Sequence, residues 1–303
     1  MKAEIFMRIN SKYLISLAAF AVTVLLAIVI ISSCRSGNNT VIDGLEYTLL
    51  ESGKSYEVTG AAELSNAELT VPAEINGLPV SGIGASAFAD NETVKSVKIS
   101  GGVSYIADGA FSGCKTLESI TLPVTLTRIG EKAFEKCEKL KYVSLGGVMH
   151  IGDYAFSECQ SLTEIDIPDD TAELGAYAFY NAISLEKIKI GLGLTKIKDS
   201  TFAGCKSLIS AKLHDEIKSV GESAFRDCLE LSEVWLGYGL ESIGADAFSG
   251  CERLKYAYFK NFDGWSADGS SNASFTAADL TDPALAADYL SVSFAADPWH
   301  RAK

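Results

Sequence analysis

The chain has 303 residues, of which 48% are hydrophobic and 21% charged, and its formal net charge is −13. This length and apolar fraction allow one or two domains with a sizeable core, and they exclude a disordered chain or a collagen-like fibre. The acidic balance argues against broad binding to nucleic acid or anionic lipid, because both carry charge of the same sign.

The first segment has the layout of an export signal. Lys2, Arg8 and Lys12 precede an uncharged run over 14–31, which ends in small residues before Cys34. A basic region, followed by an apolar region and then by small residues at the cleavage site, is typical of a signal peptide. The run is also long enough to cross a bilayer, so an uncleaved helical anchor is the alternative. Both hypotheses place the rest of the chain outside the cytoplasm, because the basic end stays inside.

The end of this segment, 31–34 (Ile-Ser-Ser-Cys), resembles the lipobox of bacterial lipoproteins. The resemblance implies that residues 1–33 are removed as a signal peptide and that Cys34 is lipidated. Residues 34–40 are then the lipidated cysteine and a short polar tether. The predicted location is the bacterial cell envelope, with an extracytoplasmic, membrane-anchored body exposed at the surface. A cleaved lipoprotein and an uncleaved anchor stay open as alternatives.

Residues 41–80 are predicted to form an N-terminal β cap that merges into the first repeat. The segment 45–49 (Leu-Glu-Tyr-Thr-Leu) alternates apolar and polar residues, which is the pattern of a strand with one buried face. A cap is expected here because the first unit of a stacked repeat otherwise exposes its core.

The centre of the chain, 81–259, is a tandem repeat with a period of 23 residues. One phenylalanine marks each unit, and one interval is shortened by a residue: Phe88, Phe111, Phe134, Phe156, Phe179, Phe202, Phe225 and Phe248. Apolar residues nine and eleven positions after Phe predict a short inward-facing strand, and the Ala-Phe pair predicts a single helical turn. One unit cannot bury its own apolar face. The period therefore predicts a leucine-rich-repeat solenoid of about eight stacked coils.

Residues 260–303 are predicted to form a C-terminal cap. A loop rich in Gly, Ser and Asn over 263–274 precedes Asp282 and Pro283. An acid followed by proline is typical of a helix start, so we predict a short capping helix from this point.

The recurring pattern, as in 129–137 (Ile-Gly-Glu-Lys-Ala-Phe-Glu-Lys-Cys) followed by Leu140, resembles the BspA-type bacterial leucine-rich repeat over about 68–259. The resemblance implies a solenoid on an extracytoplasmic, surface-exposed protein. It also implies binding of other proteins or host surfaces, without catalytic residues. The junction at 146–147 is one residue short, which leaves the local curvature open.

The repeat also explains most of the cysteines. Six of them fall three residues after Phe: Cys114, Cys137, Cys159, Cys205, Cys228 and Cys251. We predict reduced, buried thiols, because side chains of neighbouring coils point the same way and would strain a disulfide, the alternative for an exported protein. The histidines are isolated, and the dinucleotide-like letters at 82–87 leave no room for a βαβ unit. The sequence therefore predicts no metal, no cofactor and no catalytic residues.

The outward strand positions, eight and ten residues after Phe, predict the partner-binding surface. The candidates are Tyr142, Lys187, Lys189, Lys212, Trp235, Tyr256 and Tyr258. Aromatic and cationic residues on one exposed face are typical of protein-binding surfaces. The alternative is that the C-terminal cap buries Tyr256 and Tyr258. Trp235 lies one coil further from that end.

Taken with the resemblance, the sequence predicts a non-catalytic, lipid-anchored repeat protein that binds a protein or a host-surface component. Its contact with the membrane is through Cys34, and nucleic acid is not a predicted partner. Two alternatives remain. One is an envelope structural or spacer protein without a diffusible partner, and the other is a cell-surface hydrolase acting on glycan or peptide.

Overall fold

The computed structural model describes residues 39–62, 67–267 and 273–301. The predicted signal peptide 1–33, Cys34 and the tether up to residue 38 lie outside the described residues. In the ranges that are described, no helix combines the length and the apolar character needed to span a bilayer.

Short strands make up most of the regular structure. In chain order the strands are β1 (Asn39–Ile42), β2 (Leu45–Leu49), β3 (Tyr56–Ala61), β4 (Glu68–Val71), β5 (Glu74–Ile75), β6 (Leu78–Ile83), β7 (Ser96–Ile99), β8 (Tyr105–Ile106), β9 (Ser119–Thr121), β10 (Arg128–Ile129), β11 (His150–Ile151), β12 (Glu164–Asp166), β13 (Glu173–Leu174), β14 (Lys187–Lys189), β15 (Lys196–Ile197), β16 (Ser210–Lys212), β17 (Ser219–Val220), β18 (Glu233–Leu236), β19 (Ser242–Ile243), β20 (Tyr256–Phe259), β21 (Trp265–Ala267), β22 (Ala273–Ser274) and β23 (Trp299–Arg301). The helical segments are α1 (Ala277–Thr281), α2 (Pro283–Asp288) and a π-helical turn (Tyr289–Ser293).

Two ladders of parallel strands run along the molecule, so each coil of the solenoid contributes one strand to each ladder. Ladder A follows the Phe of each repeat and comprises β4, β7, β9, β12, β14, β16, β18 and β20. Ladder B precedes the Phe and comprises β3, β6, β8, β10, β11 and β13 in one sheet and β15, β17 and β19 in a second, because β13 and β15 do not pair. Equivalent residues pair between coils, as Val234 does with Ala257 in ladder A. The predicted solenoid is therefore confirmed, with about nine stacked turns because β3 and β4 add a turn before the coil of Phe88.

Strand pairing in ladder A is interrupted twice, between β14 and β16 and at the repeat that is one residue short. The third coil contributes only an isolated bridge, between Ser119 and Tyr142, and β12 pairs only with β14. The missing residue falls at 146–147, directly after these strand positions, and the backbone pairing to the next coil is lost there. Val143 and Leu145 are indeed buried beside this interruption.

The Ala-Phe segments are hydrogen-bonded turns rather than assigned helices. The N–H of Cys114 donates to the carbonyl of Phe111 at 3.1 Å, which closes a turn of four residues. Residues two before and two after Phe adopt left-handed backbone, such as Lys132 (φ 55°) and Lys136 (φ 60°), and a helix cannot continue through them. The turn instead bonds to the next coil, since the N–H of Phe111 donates to Ala133 at 2.8 Å.

The core is one continuous column of stacked side chains. The eight Phe rings lie nearly parallel, with neighbouring centroids 4.9 to 5.5 Å apart. This spacing is close to the separation of strands in a sheet, so each ring covers the ring of the coil before it. The prediction that the Phe column faces inward is confirmed, because all eight side chains are buried.

The six cysteines within the described residues are free and buried. Each thiol donates to the carbonyl of the Phe one coil earlier, with Sγ to oxygen distances of 2.9 to 3.3 Å. Burial raises the pKa of the Cys114 thiol to about 11, and it also raises the pKa of Cys137 and Cys159. The thiolate is the reactive form, so the column acts as packing and not as a nucleophile or metal ligand.

Both ends of the solenoid carry additional structure. At the N-terminal end β1, β2 and β3 form an antiparallel sheet whose last strand joins ladder B. At the C-terminal end β23 pairs antiparallel with β19, and α2 packs against β20. The predicted helix begins at Pro283, where the side chain of Asp282 accepts hydrogen bonds from the N–H groups of Ala284 and Leu285.

Candidate protein-interaction surface

The outer side of ladder A brings four of the predicted residues into one group. Strand pairing aligns Lys212 with Trp235 and Trp235 with Tyr258, one residue per coil. The Lys212 ammonium lies 4.6 Å from the Trp235 ring centroid, and the Trp235 and Tyr258 rings stack at 5.3 Å with 17° between their planes. Tyr256 stacks on Tyr258 at 6.1 Å. We refer to Lys212, Trp235, Tyr256 and Tyr258 as the Trp235 cluster.

The Trp235 cluster is accessible to a partner. Tyr256 is 42% exposed and Lys212 is exposed, whereas Trp235 and Tyr258 are half-buried. Trp235 and Tyr256 both stack on the ring of Tyr258, and each of the two tyrosines keeps part of its surface exposed. The alternative that the cap buries both tyrosines does not hold for Tyr256, because its side chain stays exposed beside the cap.

Beside Tyr256, the last coil and the C-terminal cap leave a cavity of about 470 Å³. Its lining includes Cys251 and Leu254 from the coil and Ala284 and Val292 from the cap. Glu252, Lys255 and Asp288 also line it, so the Trp235 cluster borders a recess with both apolar and charged walls.

The other two predicted lysines lie on one adjacent coil. Lys187 and Lys189 are exposed on β14, and strand pairing places them directly opposite Glu164 and Asp166 of β12. Opposite charges side by side on a sheet partly neutralise each other. These two lysines thus extend the surface with charge pairs, while Lys212 is the cation that contacts an aromatic ring.

Tyr142 is not part of the Trp235 cluster. Its side chain is 55% exposed at the interruption of ladder A, four coils before Trp235, or about 20 Å away at the usual strand spacing. It lines a separate cavity of about 590 Å³ with Ile120, Leu122 and Lys141. The sequence analysis placed Tyr142 on the binding surface because of its position within the repeat. That position gives no distance from Trp235 along the solenoid.

A charged groove lies on the outer side of ladder B. It has a volume of about 240 Å³, and its lining includes Arg128, His150, Asp153, Glu173 and Lys198. Lys198 lies 2.9 Å from Glu173 and 4.0 Å from Asp153, and its hydrogen bond lowers the pKa of Glu173. The two carboxylates are thus held by one ammonium, which favours an ion-pair network over the paired acid and base that glycoside hydrolysis requires.

The sequence analysis did not identify a second aromatic group, on the turn side of the solenoid. Tyr154 and Tyr177 stack at 4.6 Å with 4° between their planes, and Tyr180 meets Tyr177 edge-on at 5.8 Å. Lys132 lies 5.5 Å from the Tyr154 centroid. The sequence did contain a signal for this group. Lys132, Tyr154 and Tyr177 occupy the same position, two residues before Phe, in three successive repeats.

Among the residues whose positions are described, no group of three His, Cys, Asp or Glu side chains could hold a metal ion. The stacked ladders and the exposed cluster define a class of protein, the solenoid repeat proteins that present an extended face. Six copies of the BspA type leucine rich repeat region match residues 81–208 and 149–265, which together are more than half of the chain. The chain therefore belongs to the BspA type leucine rich repeat family.

Solved structures agree with this assignment. A leucine rich repeat protein of T. pallidum is 27% identical with a TM-score of 0.57, and the match covers 71% of this chain and 90% of that one. A leucine-rich repeat protein of Bacteroides ovatus is 25% identical with a TM-score of 0.56, covering 74% and 71%. Comparison with curated proteins gives no significant match.

Proposed function

We propose that this protein is a non-catalytic, extracytoplasmic repeat protein that binds a protein or host-surface partner through the Trp235 cluster. The observation that carries the proposal is the continuous stack of Lys212, Trp235 and Tyr258 on the outer side of ladder A. Tryptophan and tyrosine are enriched among residues that dominate binding energy at protein interfaces. Membership in a repeat family whose stacked coils create extended surfaces supports the same function.

The geometry of the stack favours a polypeptide partner. The rings of Trp235 and Tyr258 lie face to face, and the ammonium of Lys212 covers the other face of the indole. Sugars and bases stack on open ring faces, whereas both faces of the indole are covered here. Ring edges, the Tyr256 side chain and the recess beside it, which has apolar and charged walls, suit the side chains of a protein.

The anchor and the location are part of the proposal and rest on the sequence before residue 39. Lipidation of Cys34 would hold the solenoid at a bacterial membrane, with the polar residues 35–38 leading to the first strand. A single acyl chain holds a protein only weakly, so stable anchoring requires more than one chain on Cys34. Metabolic labelling with a radioactive fatty acid should mark the wild-type chain and leave Cys34→Ala unlabelled. Equal labelling of both would contradict the lipoprotein assignment.

Partner binding is tested by the change Trp235→Ala. We expect the variant to bind its partner more weakly by about 2 kcal/mol or more, a factor of about thirty, because a central aromatic anchor is removed. The measurement is binding of the purified, fluorescently labelled chain to intact cells, with dissociation constants from titration. Leu192→Ala is the matched control, since Leu192 is an exposed apolar side chain on a loop outside the cluster.

The outcomes separate the binding protein from the spacer. Saturable binding that Trp235→Ala weakens and Leu192→Ala leaves unchanged supports the proposal. Binding that both variants retain in full removes the Trp235 cluster from the site. A wild-type chain without saturable binding to any cell surface would favour an envelope spacer instead.

A further inference from the structure

One junction between neighbouring coils lacks strand pairing in both ladders. We refer to it as the 179–202 junction, because it lies between the coil of Phe179, with β13 and β14, and the coil of Phe202, with β15 and β16. In ladder B, β13 pairs with β11 and β15 with β17, and in ladder A, β14 pairs with β12 and β16 with β18. At the short repeat, by contrast, only ladder A is interrupted, because β10 and β11 still pair in ladder B.

The backbone hydrogen bonds of ladder B are also missing at this junction. In the next coil, the N–H of Gly221 donates to the carbonyl of Ile197 at 2.8 Å, and the N–H of Lys218 donates to that of Thr195 at 2.7 Å. In the part of the chain that the structure describes, the equivalent N–H groups of Lys198 and Thr195 make no backbone hydrogen bond across the junction. The two coils are therefore less tightly joined along ladder B than the coils that follow.

The turn side, in contrast, stays bonded across the 179–202 junction. The N–H of Tyr177 donates to the carbonyl of Asp199 at 3.0 Å, and the N–H of Asn181 donates to that of Ala203 at 2.8 Å. The two Phe rings that flank the junction also stack, with centroids 5.4 Å apart. The two coils are thus attached along one edge, while the strands of the other two edges are unpaired.

Side chains replace part of the missing backbone pairing. On the side of ladder B, the ammonium of Lys198 lies 2.9 Å from a carboxylate oxygen of Glu173 across the junction. On the side of ladder A, Nε2 of His214 lies 3.0 Å from the carbonyl oxygen of Gly191, and one backbone bond of 3.2 Å remains before the strands. An ion pair at the surface constrains geometry only weakly, because the lysine side chain is long and flexible. Such contacts permit small changes in the distance between coils.

The sequence departs from the repeat at the same junction. Four residues before Phe, the coil of Phe202 has Lys198, where six coils have glycine: Gly84, Gly130, Gly152, Gly175, Gly221 and Gly244. A Cβ on Gly175 would clash with the backbone of Gly152, so the coils approach closely in this column. The coil of Phe111 accommodates a methyl group there, at Ala107. Lys198 adds a long side chain that runs back across the junction.

Two further departures are buried at the junction. Thr201 replaces the alanine that precedes Phe in the other coils, and its hydroxyl donates to the carbonyl of Gly175 across the junction at 3.4 Å. In the coil before it, Ala182 interrupts the column of cysteines. Thr201 and Ala182 are both 0% exposed. Changes in three columns therefore coincide with the one junction at which both ladders lose their pairing.

We infer that the 179–202 junction is a hinge. The last three coils and the C-terminal cap turn about it as one body relative to the coils before it. The bonded turn side is the pivot, and the edges of the two ladders widen and narrow. The motion changes the angle between the Trp235 cluster, which lies after the junction, and the N-terminal end of the solenoid. The hinge does not depend on partner binding, so it can be tested separately from the proposed function.

Distances between two spin labels test the hinge in the full chain. Cys34→Ala is included in all variants, and the six buried thiols stay unlabelled. Labels at Thr121→Cys and Lys212→Cys span the junction, whereas labels at Lys98→Cys and Lys189→Cys do not. The four positions are exposed and equivalent in the repeat, and each pair is four coils or about 20 Å apart. Double electron–electron resonance should give a distance distribution about twice as broad for the pair that spans the junction.

A variant that restores the repeat tests the cause. Lys198→Gly with Thr201→Ala gives the junction the residues of the other coils, so the ladders can pair and the broad distribution should narrow to that of the other pair. Glu173→Gln is the control, because it removes the ion pair without changing these columns and should not narrow the distribution. Equal widths for the two label pairs in the wild-type background would overturn the hinge, and they require no variant of the junction. A distribution that stays broad in the restored variant would overturn the role of Lys198 and Thr201.

Discussion

Replacing Phe179 by alanine should lower the free energy of unfolding by about 3–5 kcal/mol. Phe179 is 0% exposed and stacks between Phe156 at 5.5 Å and Phe202 at 5.4 Å, so its removal opens a gap within the aromatic column. The backbone cannot close the gap by moving a coil inward, because the N–H of Phe179 is bonded to the carbonyl of Thr201 at 2.9 Å. Denaturant unfolding followed by circular dichroism measures the change.

Leu192→Ala is again the matched control, because this leucine is 59% exposed and its loss should change stability by no more than about 0.5 kcal/mol. A solenoid is held by contacts between neighbouring coils, so the Phe179 variant should also unfold less cooperatively at this point of the stack. An unfolding curve for Phe179→Ala that coincides with the wild-type curve would contradict a buried column.

The sequence was sufficient to predict the inward columns, because a fixed period assigns every equivalent residue the same environment. Eight buried Phe and six buried cysteines follow from one repeat, and the alternation along each strand predicts that Lys212 and Trp235 face outward. These assignments need only the direction of a side chain relative to the stack. They do not need the distance between coils.

The backbone conformation of the turns was harder to predict from the sequence. Lysine and tyrosine have no preference for left-handed backbone, so Lys132 and Tyr154 gave no sign of it. Hydrogen bonds from side chains to the backbone of neighbouring coils were also missed. Asp108 accepts from the N–H of Glu131 and Asp153 from that of Ala176, both at 2.8 Å, and such pairs become visible only once the coils are aligned.

The candidate site was predicted as a row of residues and not as a group. The column rule placed Tyr142 and Trp235 on the same face, but it could not show that an interruption and four coils separate them. It also could not show that Lys212 covers the indole of Trp235, because this contact depends on the side-chain conformations of two coils. The stacked Tyr154 and Tyr177 on the turn side were missed because only the strand columns were treated as outward.

The largest effect at the C-terminal end is expected for Trp299→Ala, with a loss of about 3–5 kcal/mol in the free energy of unfolding. Trp299 is 1% exposed, lies 4.3 Å from the ring of Phe275 and 6.3 Å from that of Phe259, and donates its indole N–H to the carbonyl of Phe294 at 3.2 Å. It therefore joins the last coil to the cap.

The same change should alter the association of the protein, because Trp299 belongs to β23, which covers the edge of β19. An uncovered strand edge at the end of a solenoid can pair with another molecule, so light scattering should show larger species for Trp299→Ala than for the wild type. Trp235→Ala removes the same side chain from the surface and should lower stability by about 1 kcal/mol or less without association. Equal unfolding curves and equal particle sizes for the two variants would show that Trp299 does not secure the cap, since only a buried tryptophan at a coil-to-cap junction predicts the difference.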